Sequence, residues 1–178
     1  MEQVPRELYL PTFHIDTNRI NSRNGLESMN KLENWAERGL ISLMLSEVAQ
    51  QEAQAGKDPR RLTKASEFIY SETLAHAAEE KSQLNEIEVI VFPSGAKNQN
   101  QRNDVEIAFN AKKYCATLIT ADGDLLTCRT KLLRLGINVM TDFEAVAWVE
   151  RSIAQRDEHA TRIAGMLGVP PPDWVGND

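Results

Sequence analysis

The chain has 178 residues, of which 42% are hydrophobic and 26% are charged, and its formal net charge is -6 at pH 7. This length and composition fit one globular domain with short additions. The acidic net charge argues against a protein that coats nucleic acid non-specifically, because such proteins are usually basic. A small acidic site that binds cations remains compatible with it.

The sequence predicts a cytoplasmic protein with no membrane partner. No run approaches the roughly 18 apolar residues that a membrane span needs, and the opening stretch MEQVPRELYL lacks the basic and apolar regions of a secretory signal. The two cysteines, Cys115 and Cys128, do not form a metal-ligand cluster. We expect both to be reduced packing residues.

The first half of the chain predicts two strands, each followed by a helix. Residues 7–16 form the first strand, and apolar residues at helical spacing follow over residues 25–39. The short apolar run at 40–45 predicts the second strand. Ser46 is then a suitable N-cap for a helix to about Gly56, and a longer helical segment starts near Pro59.

The second half predicts three more strands. The apolar run EIEVIVF, residues 86–92, is interpreted as the third strand, and a polar, turn-rich and mobile segment follows it. Asn103 and Glu106 have the spacing of a capping box at the start of the next helix. The remaining predicted elements are a strand at 115–120, a helix closed by Gly136, a strand at 137–141, and a last helix from Asp142 that leads into a Pro-rich tail.

Alternating strands and helices predict an α/β fold, with a central parallel sheet of about five strands between two layers of helices. We expect residues 1–141 to form this domain and residues 142–178 to form a helical extension and tail. The last helix has an apolar stripe that contains Phe143, Val146 and Trp148. Packing of this stripe on the domain is its ordinary use, and a homodimer contact is left open.

Acidic residues recur where the predicted strands end. Asp16 closes the first strand, and Asp122 and Asp124 follow the fourth in the sequence TLITADGD. Ligands of open parallel sheets bind at the carboxyl ends of the strands. These acids are therefore expected at one edge of the sheet, although Asp and Gly are also ordinary turn residues.

Two helices carry further acids on their apolar faces. Glu52 shares a helix face with Val48, Ala49 and Ala55, whereas Glu47 is turned about 140° away from it at the 3.6-residue period. Asp104 shares a face with the apolar residues Ile107, Ala108 and Ala111. As single residues, Asp104 could be a helix-dipole acid and Asp16 a loop cap.

Taken together, carboxylates from four elements predict a site for Mg²⁺ or Mn²⁺. Carboxylates near a core are costly unless they are paired or bound to a metal, and grouped carboxylates raise each other's pKa. Oxygen-rich ligand sets suit these hard cations. The chemistry typical of such a site is hydrolysis of a phosphodiester.

At this point the sequence resembles the PIN domain family of metal-dependent nucleases, which includes the VapC-type ribonucleases of toxin–antitoxin pairs. The matching segments are IDTN at 15–18, SEVAQQEA at 46–53, and NDVEIAFNAKKYCATLITADGDLL at 103–126. The resemblance covers roughly residues 7–141. Residues 57–102 are longer than in minimal members, and the chain from Asp142 onward extends past the usual end.

The resemblance implies a fold, a site and an activity. Asp16, Glu52, Asp104 and Asp122 would be catalytic and would hold Mg²⁺ or Mn²⁺, with Asp124 as an accessory metal ligand. Asn18 and Thr120 would be accessory residues that hydrogen-bond ligands or substrate. The implied activity is endoribonucleolytic cleavage of RNA, and a cognate antitoxin would be the partner.

Other residues leave alternatives open. Lys57, Arg60, Arg61 and Lys64 could guide a phosphate backbone or form a solvated helix face. His14 could neighbour the site, although a packed core histidine is the commoner role. Two rival functions are a non-catalytic PIN-like scaffold that binds protein or RNA, and an aspartyl-phosphate phosphotransferase. The phosphotransferase is disfavoured because Asn18 stands where such enzymes generally have a second acid.

Overall fold

The computed structural model describes residues 4–178. Our expectation about a secretory leader rests partly on residues 1–3, which lie outside the described residues. Within the described range, a five-stranded, all-parallel sheet has the strand order β3-β2-β1-β4-β5. The predicted α/β class, with a central parallel sheet, is confirmed.

The strands are short and contribute buried residues to the core of the protein. They are β1 (Phe13–Ile15), β2 (Leu43–Ser46), β3 (Ile69–Ser71), β4 (Thr117–Ile119) and β5 (Asn138–Met140). β1 is the central strand and is buried along its whole length. The helices are α1 (Glu27–Glu37), α2 (Glu47–Ala55), α3 (Pro59–Ser66), α4 (Ala78–Val91), α5 (Gln99–Lys113), α6 (Gly123–Arg134) and α7 (Asp142–Leu167).

Helices cover the two faces of the sheet because neighbouring residues of a strand point to opposite sides. Phe13 of β1 meets the ring of Trp148 on α7 edge-on, with 5.7 Å between ring centroids. His14 points the other way, and its ring lies 6.1 Å from that of Tyr114, which follows α5. One layer therefore pairs α1 with α7, and the other packs α4 against α5 and α6.

Several predicted boundaries agree with the structure. Ser46 caps α2, since its side chain accepts a hydrogen bond of 3.1 Å from the Ala49 amide. Gly136 follows α6 with a φ of 82°, a left-handed conformation that favours glycine. α7 begins at Asp142 as predicted, and a Thr141–Glu144 capping box fixes its start.

The predicted third strand is wrong. Residues 86–92 belong mostly to α4, and Ile87 and Val91, four residues apart, are the buried positions. The apolar run therefore buries one face with helical period instead of two faces of a strand. The actual third strand, β3, lies inside the segment that we predicted to be helical from Pro59 onward.

The predicted start of the next helix is also wrong. α5 begins at Gln99, and Asn98 caps it by accepting a hydrogen bond of 3.0 Å from the Gln101 amide. Asn103 is thus inside the helix, and part of the segment predicted to be turn-rich and mobile is helical. Asp104 consequently lies beyond the first turn, where the helix dipole has little effect.

In the part of the chain that the structure describes, no helix is both long and apolar enough to cross a membrane. The last helix, α7, has 26 residues, and the buried residues of its first half belong to the domain core. Val146, Val149 and Ile153 are among them. Of the predicted apolar stripe, Val146 and Trp148 pack on the domain, whereas Phe143 is 73% exposed. The division at residue 141 stays a prediction about chain organisation.

Candidate active site

The carboxyl edge of the sheet gathers the predicted acids. Asp16 directly follows β1, Glu52 lies on α2 behind β2, and Asp122 directly precedes α6 behind β4. Asp104 approaches from α5, and Asp124 lies in the first turn of α6. The arrangement results from parallel pairing, which brings the ends of β1, β2 and β4 to the same edge.

Asp16 is the most buried of these acids, at 3% exposed. Its Oδ2 atom accepts hydrogen bonds from the Thr120 hydroxyl, at 2.5 Å, and from the Asn18 amide, at 2.6 Å. Asn18 in turn accepts a bond of 3.0 Å from the Ala121 amide. The two residues predicted to be accessory therefore both contact Asp16 and tie β1 to the loop after β4.

Asp122 is both a turn and cap residue and a neighbour of the other acids, two roles that the sequence presented as alternatives. Its Oδ1 atom accepts hydrogen bonds of 2.9 Å from the backbone amides of Asp124 and Leu125, which makes it the N-cap of α6. It is also close enough to Asp16 and Asp104 for its charge to raise their pKa values. A helix cap and a member of the acid cluster are here the same residue.

Glu52 faces the site, whereas Glu47 does not. The Glu52 carboxylate accepts a hydrogen bond of 2.5 Å from the Thr17 hydroxyl and one of 2.6 Å from the Asn103 amide. Glu47 instead accepts a bond from Gln51 on its own helix. The two glutamates therefore point in different directions, as the helix phase predicts, but Ala55, which we placed on the same stripe as Glu52, is exposed. The role of Glu52 in the site stays a prediction.

Thr17 and Asn103 are contact residues that the sequence reasoning missed. Thr17 was passed over, and Asn103 was assigned to a helix cap. Each is adjacent in sequence to a candidate acid, Thr17 to Asp16 and Asn103 to Asp104. That adjacency was the available signal, but the distance to Glu52 depends on how α2 packs against α5.

The acids strongly affect each other's ionisation. Burial, together with the negative charges of Asp122, Asp16, Glu52 and Asp124, raises the pKa of Asp104 to about 7. Burial also raises the pKa of Asp16; the Thr120 hydrogen bond opposes this shift, and the charges of Glu52 and Asp122 add to it. Such mutual repulsion is what a cation bound among the carboxylates would relieve.

The carboxylates are near one another without forming a closed ligand shell. Among residues 4–178, no three His, Cys, Asp or Glu side chains are arranged so that they could hold a metal ion. Glu52 and Asp122 each accept hydrogen bonds from neighbouring protein groups. The chemistry of the donors still fits Mg²⁺ or Mn²⁺, which prefer carboxylate oxygens.

The predicted basic patch divides into two kinds of residue. Lys57 and Arg60 are exposed, and Arg61 donates a hydrogen bond to the Thr17 carbonyl beside the site. Lys64 pairs with two glutamates outside the candidate site, Glu33 at 3.1 Å and Glu67 at 3.2 Å. The role of the first three in binding a phosphate backbone stays a prediction.

His14 is a core residue and not a ligand of the acid cluster. It is fully buried, and burial lowers its pKa to about 4. The imidazole is therefore neutral at pH 7. Its side chain packs near Tyr114 on the α5 face of the sheet.

Comparison with solved structures identifies the fold. A chain of the DNA-bound VapBC complex from Salmonella typhimurium superposes with a TM-score of 0.52 at 15% sequence identity, over 75% of this chain and 99% of that one. A chain of VapBC2 from Rickettsia felis, bound to a DNA fragment from its promoter, gives a TM-score of 0.49 at 18% identity, over 73% of this chain and 98% of that one. The chain has a PIN-like fold.

The sequence comparisons add nothing to this result. No protein-family model and no curated protein matches the chain. The PIN-like fold thus rests on structure, and the predicted fold is confirmed at that level. The roles of the individual acids rest on the geometry of the site.

Proposed function

We propose that this protein is a metal-dependent endoribonuclease that hydrolyses RNA phosphodiesters. Asp16, Glu52, Asp104 and Asp122 would be its catalytic metal ligands, with Asp124 as an accessory acid. The observation that carries the proposal is the grouping of carboxylates from separate elements at one edge of the sheet. Burial and the negative charges of these neighbours together raise the pKa of Asp104 to about 7. A PIN-like fold with these acids at its carboxyl edge supports this reading.

The cluster has few explanations within the fold itself. Grouped acids destabilise a protein, and Asp104 lies too far into α5 to stabilise the helix dipole. A bound Mg²⁺ or Mn²⁺ would compensate the charge, activate water and stabilise the leaving oxygen of a phosphodiester. Within the chain, Thr120 and Asn18 hold Asp16 in place, and the two amides at the start of α6 hold Asp122.

The substrate is proposed to be RNA, approached from the α3 side of the site. Arg61 lies next to Thr17, and Lys57 and Arg60 are exposed nearby on the same segment. These cations would contact phosphates and offset the acidic character of the chain, whose net charge is -6. Binding is therefore expected to weaken as the salt concentration rises.

We further propose that the chain is the toxin of a cytoplasmic toxin–antitoxin pair. The support is the likeness in fold to a chain of the Salmonella VapBC complex. A cognate antitoxin should co-purify with this chain when a short adjoining reading frame is expressed with it. Failure of every adjoining product to bind would remove this part of the proposal and leave the nuclease activity untouched.

The experiment that tests the nuclease compares two glutamates on one helix. Glu52→Gln should lower Mn²⁺-dependent cleavage of RNA by at least about 100-fold, a larger effect than loss of a group that only hydrogen-bonds a metal ligand. Glu47→Gln should leave cleavage near the wild-type rate, since Glu47 bonds to Gln51 outside the acid cluster. Equal losses in the two variants would show that the acid cluster is not the active site.

Calorimetry with Mn²⁺ and Mg²⁺ separates the nuclease from its alternative, a non-catalytic scaffold that binds protein or RNA. The nuclease should bind a divalent ion at millimolar or lower concentration, and Glu52→Gln should weaken that binding. A protein that binds RNA at low salt but neither binds these ions nor cleaves would be such a scaffold.

A further inference from the structure

The side chain of Glu52 is held by two donors from different parts of the fold. The Thr17 hydroxyl bonds to Oε2, at 2.5 Å, and the Asn103 amide bonds to Oε1, at 2.6 Å. Thr17 lies just after β1, and Asn103 lies on α5. Because each oxygen has one donor, the carboxylate cannot rotate without losing at least one hydrogen bond.

The orientation of the Asn103 amide is fixed by chemistry as well as by distance. An ionised carboxylate only accepts hydrogen bonds, so the amide nitrogen of Asn103 must face Glu52. The amide oxygen then points back along α5, where it accepts a bond of 2.7 Å from the side chain of Gln99, one turn earlier. Gln99, Asn103 and Glu52 therefore form a directed chain of hydrogen bonds.

The hydrogen bonds from Thr17 and Asn103 leave Glu52 able to bind a cation. A carboxylate has about four lone-pair sites, and the two donors occupy one on each oxygen. The remaining sites are available to a metal without breaking either bond. Groups that hydrogen-bond a metal-ligating carboxylate orient it, and their removal typically costs about 10- to 100-fold in metal affinity or activity.

We infer that Asn103, oriented by Gln99, is a positioning residue that holds the Glu52 carboxylate ready for a divalent cation. This inference rests on the proposed function, since it requires Glu52 to be a metal ligand. It also assigns a role to the residue directly before Asp104, so that adjacent residues of α5 supply one acid and position another.

The decisive measurement is the affinity for Mn²⁺, obtained from the electron paramagnetic resonance signal of the free ion. Asn103→Ala should weaken binding about 10-fold, while the metal-free protein keeps its melting temperature to within a few degrees. RNA cleavage by this variant should recover toward the wild-type rate at saturating Mn²⁺. A tether with only a structural role would lower the melting temperature and leave the affinity of the folded fraction unchanged.

Asn100→Ala is the matched control, since it removes the same side chain from an exposed position in the first turn of α5. It should bind Mn²⁺ as wild type does. Gln99→Ala should weaken binding by less than Asn103→Ala. In the Asn103→Ala background it should have no further effect, to within about 2-fold.

The outcomes distinguish this inference from the proposed function. If Glu52→Gln weakens Mn²⁺ binding but Asn103→Ala and Gln99→Ala do not, the positioning role is wrong and the metal site stands. If Glu52→Gln itself has no effect, the proposed site is wrong. Should Asn103→Ala fail to fold, Gln99→Ala decides, because its side chain is exposed: wild-type affinity in that variant would overturn the inference.

Discussion

Two groups of charged residues shift the pKa of an aspartate in opposite directions. At the carboxyl edge of the sheet, burial and repulsion between aspartates and a glutamate raise the pKa of Asp104 to about 7. At the other group, the Asp178 carboxylate meets Arg6 and Arg38, each at 2.6 Å, and Arg156, at 2.8 Å. Burial alone would raise the pKa of Asp178, but the bonds from Arg6 and Arg156 lower it.

The difference is that the carboxylate of Asp178 is paired with cations of the protein, whereas the carboxylates at the edge of the sheet lie among like charges. The Asp178 side chain is fully covered, and its partners come from the N-terminal segment, the end of α1 and α7. Trp174 adds a cation–π contact with Arg156, 4.4 Å from the ring centroid. These contacts fasten the tail to the domain, whereas the like charges of the acid cluster raise the pKa values of Asp16 and Asp104. On the proposed function, a bound cation would compensate this repulsion.

The largest expected effect is stabilisation of the acid cluster by metal. Binding to the folded state alone adds about 2.7 kcal/mol at a metal concentration 100 times Kd. We therefore expect Mn²⁺ to raise the melting temperature of the wild-type protein and of Asp178→Asn by similar amounts. If Mn²⁺, Mg²⁺ and Ca²⁺ all leave the melting temperature unchanged, the contrast between the two groups has no functional meaning.

The next effect concerns the arginine group. Asp178→Asn should lower the free energy of unfolding by about 2 kcal/mol, since hydrogen bonds to charged groups contribute about that much and Arg156 is 9% exposed. Denaturant melts with chelator present measure the change. Cleavage of RNA should be unaffected, and a variant with wild-type stability would show that the tail contacts are only superficial.

Asp104 should give a pH-dependent effect of the opposite sign. Its pKa is raised from 3.8 to about 7 in the folded protein, so the folded state holds a proton that the unfolded chain has lost. Stability contributed by this proton is present below about pH 4 and is lost as the pH rises to about 7.

Metal-free Asp104→Asn should therefore become more stable relative to wild type as the pH rises from 5 to 8. The expected gain is about 1–2 kcal/mol, because a partly exposed carboxyl is screened by solvent. Denaturant melts at both pH values, with chelator, measure the difference. A gain that is the same at pH 5 and pH 8 would mean that Asp104 is not held protonated by its neighbours.

The sequence was sufficient for those parts of the site that depend on local order along the chain. Asp16 and Asp122 could be placed because Asp16 ends the first predicted strand and Asp122 follows the fourth, and parallel strands end at one edge. Glu52 could be distinguished from Glu47 by helix phase alone. These inferences need only the period of an element and the direction of the chain.

Other features depend on packing and could not be read from the sequence. The run at 86–92 suits a buried strand or the apolar face of a helix equally well. Its helical structure becomes clear only from the packing of α4 against α5. β3 was missed because Ile69 and Tyr70 lie on an exposed edge strand, where an alternating apolar pattern is absent from the sequence. The bond between Asn103 and Glu52 joins residues 51 apart. Arg6 and Arg38 are further still from their partner Asp178, by 172 and 140 residues.

The smallest expected effect is the most specific, because it concerns a residue with two roles. Asn caps helices about as well as Asp, so Asp122→Asn should keep the two amide bonds at the start of α6. It removes one charge from the cluster, and the metal-free variant should be more stable than wild type by about 0.5 kcal/mol. It should also lose most of the Mn²⁺-induced stabilisation and most of the cleavage.

Denaturant melts with chelator and with Mn²⁺ measure the two changes in stability. Asp122→Ala, which removes cap and charge together, is the control that should be destabilised. An Asn variant that is destabilised without metal yet cleaves RNA normally would make Asp122 a helix cap and nothing more.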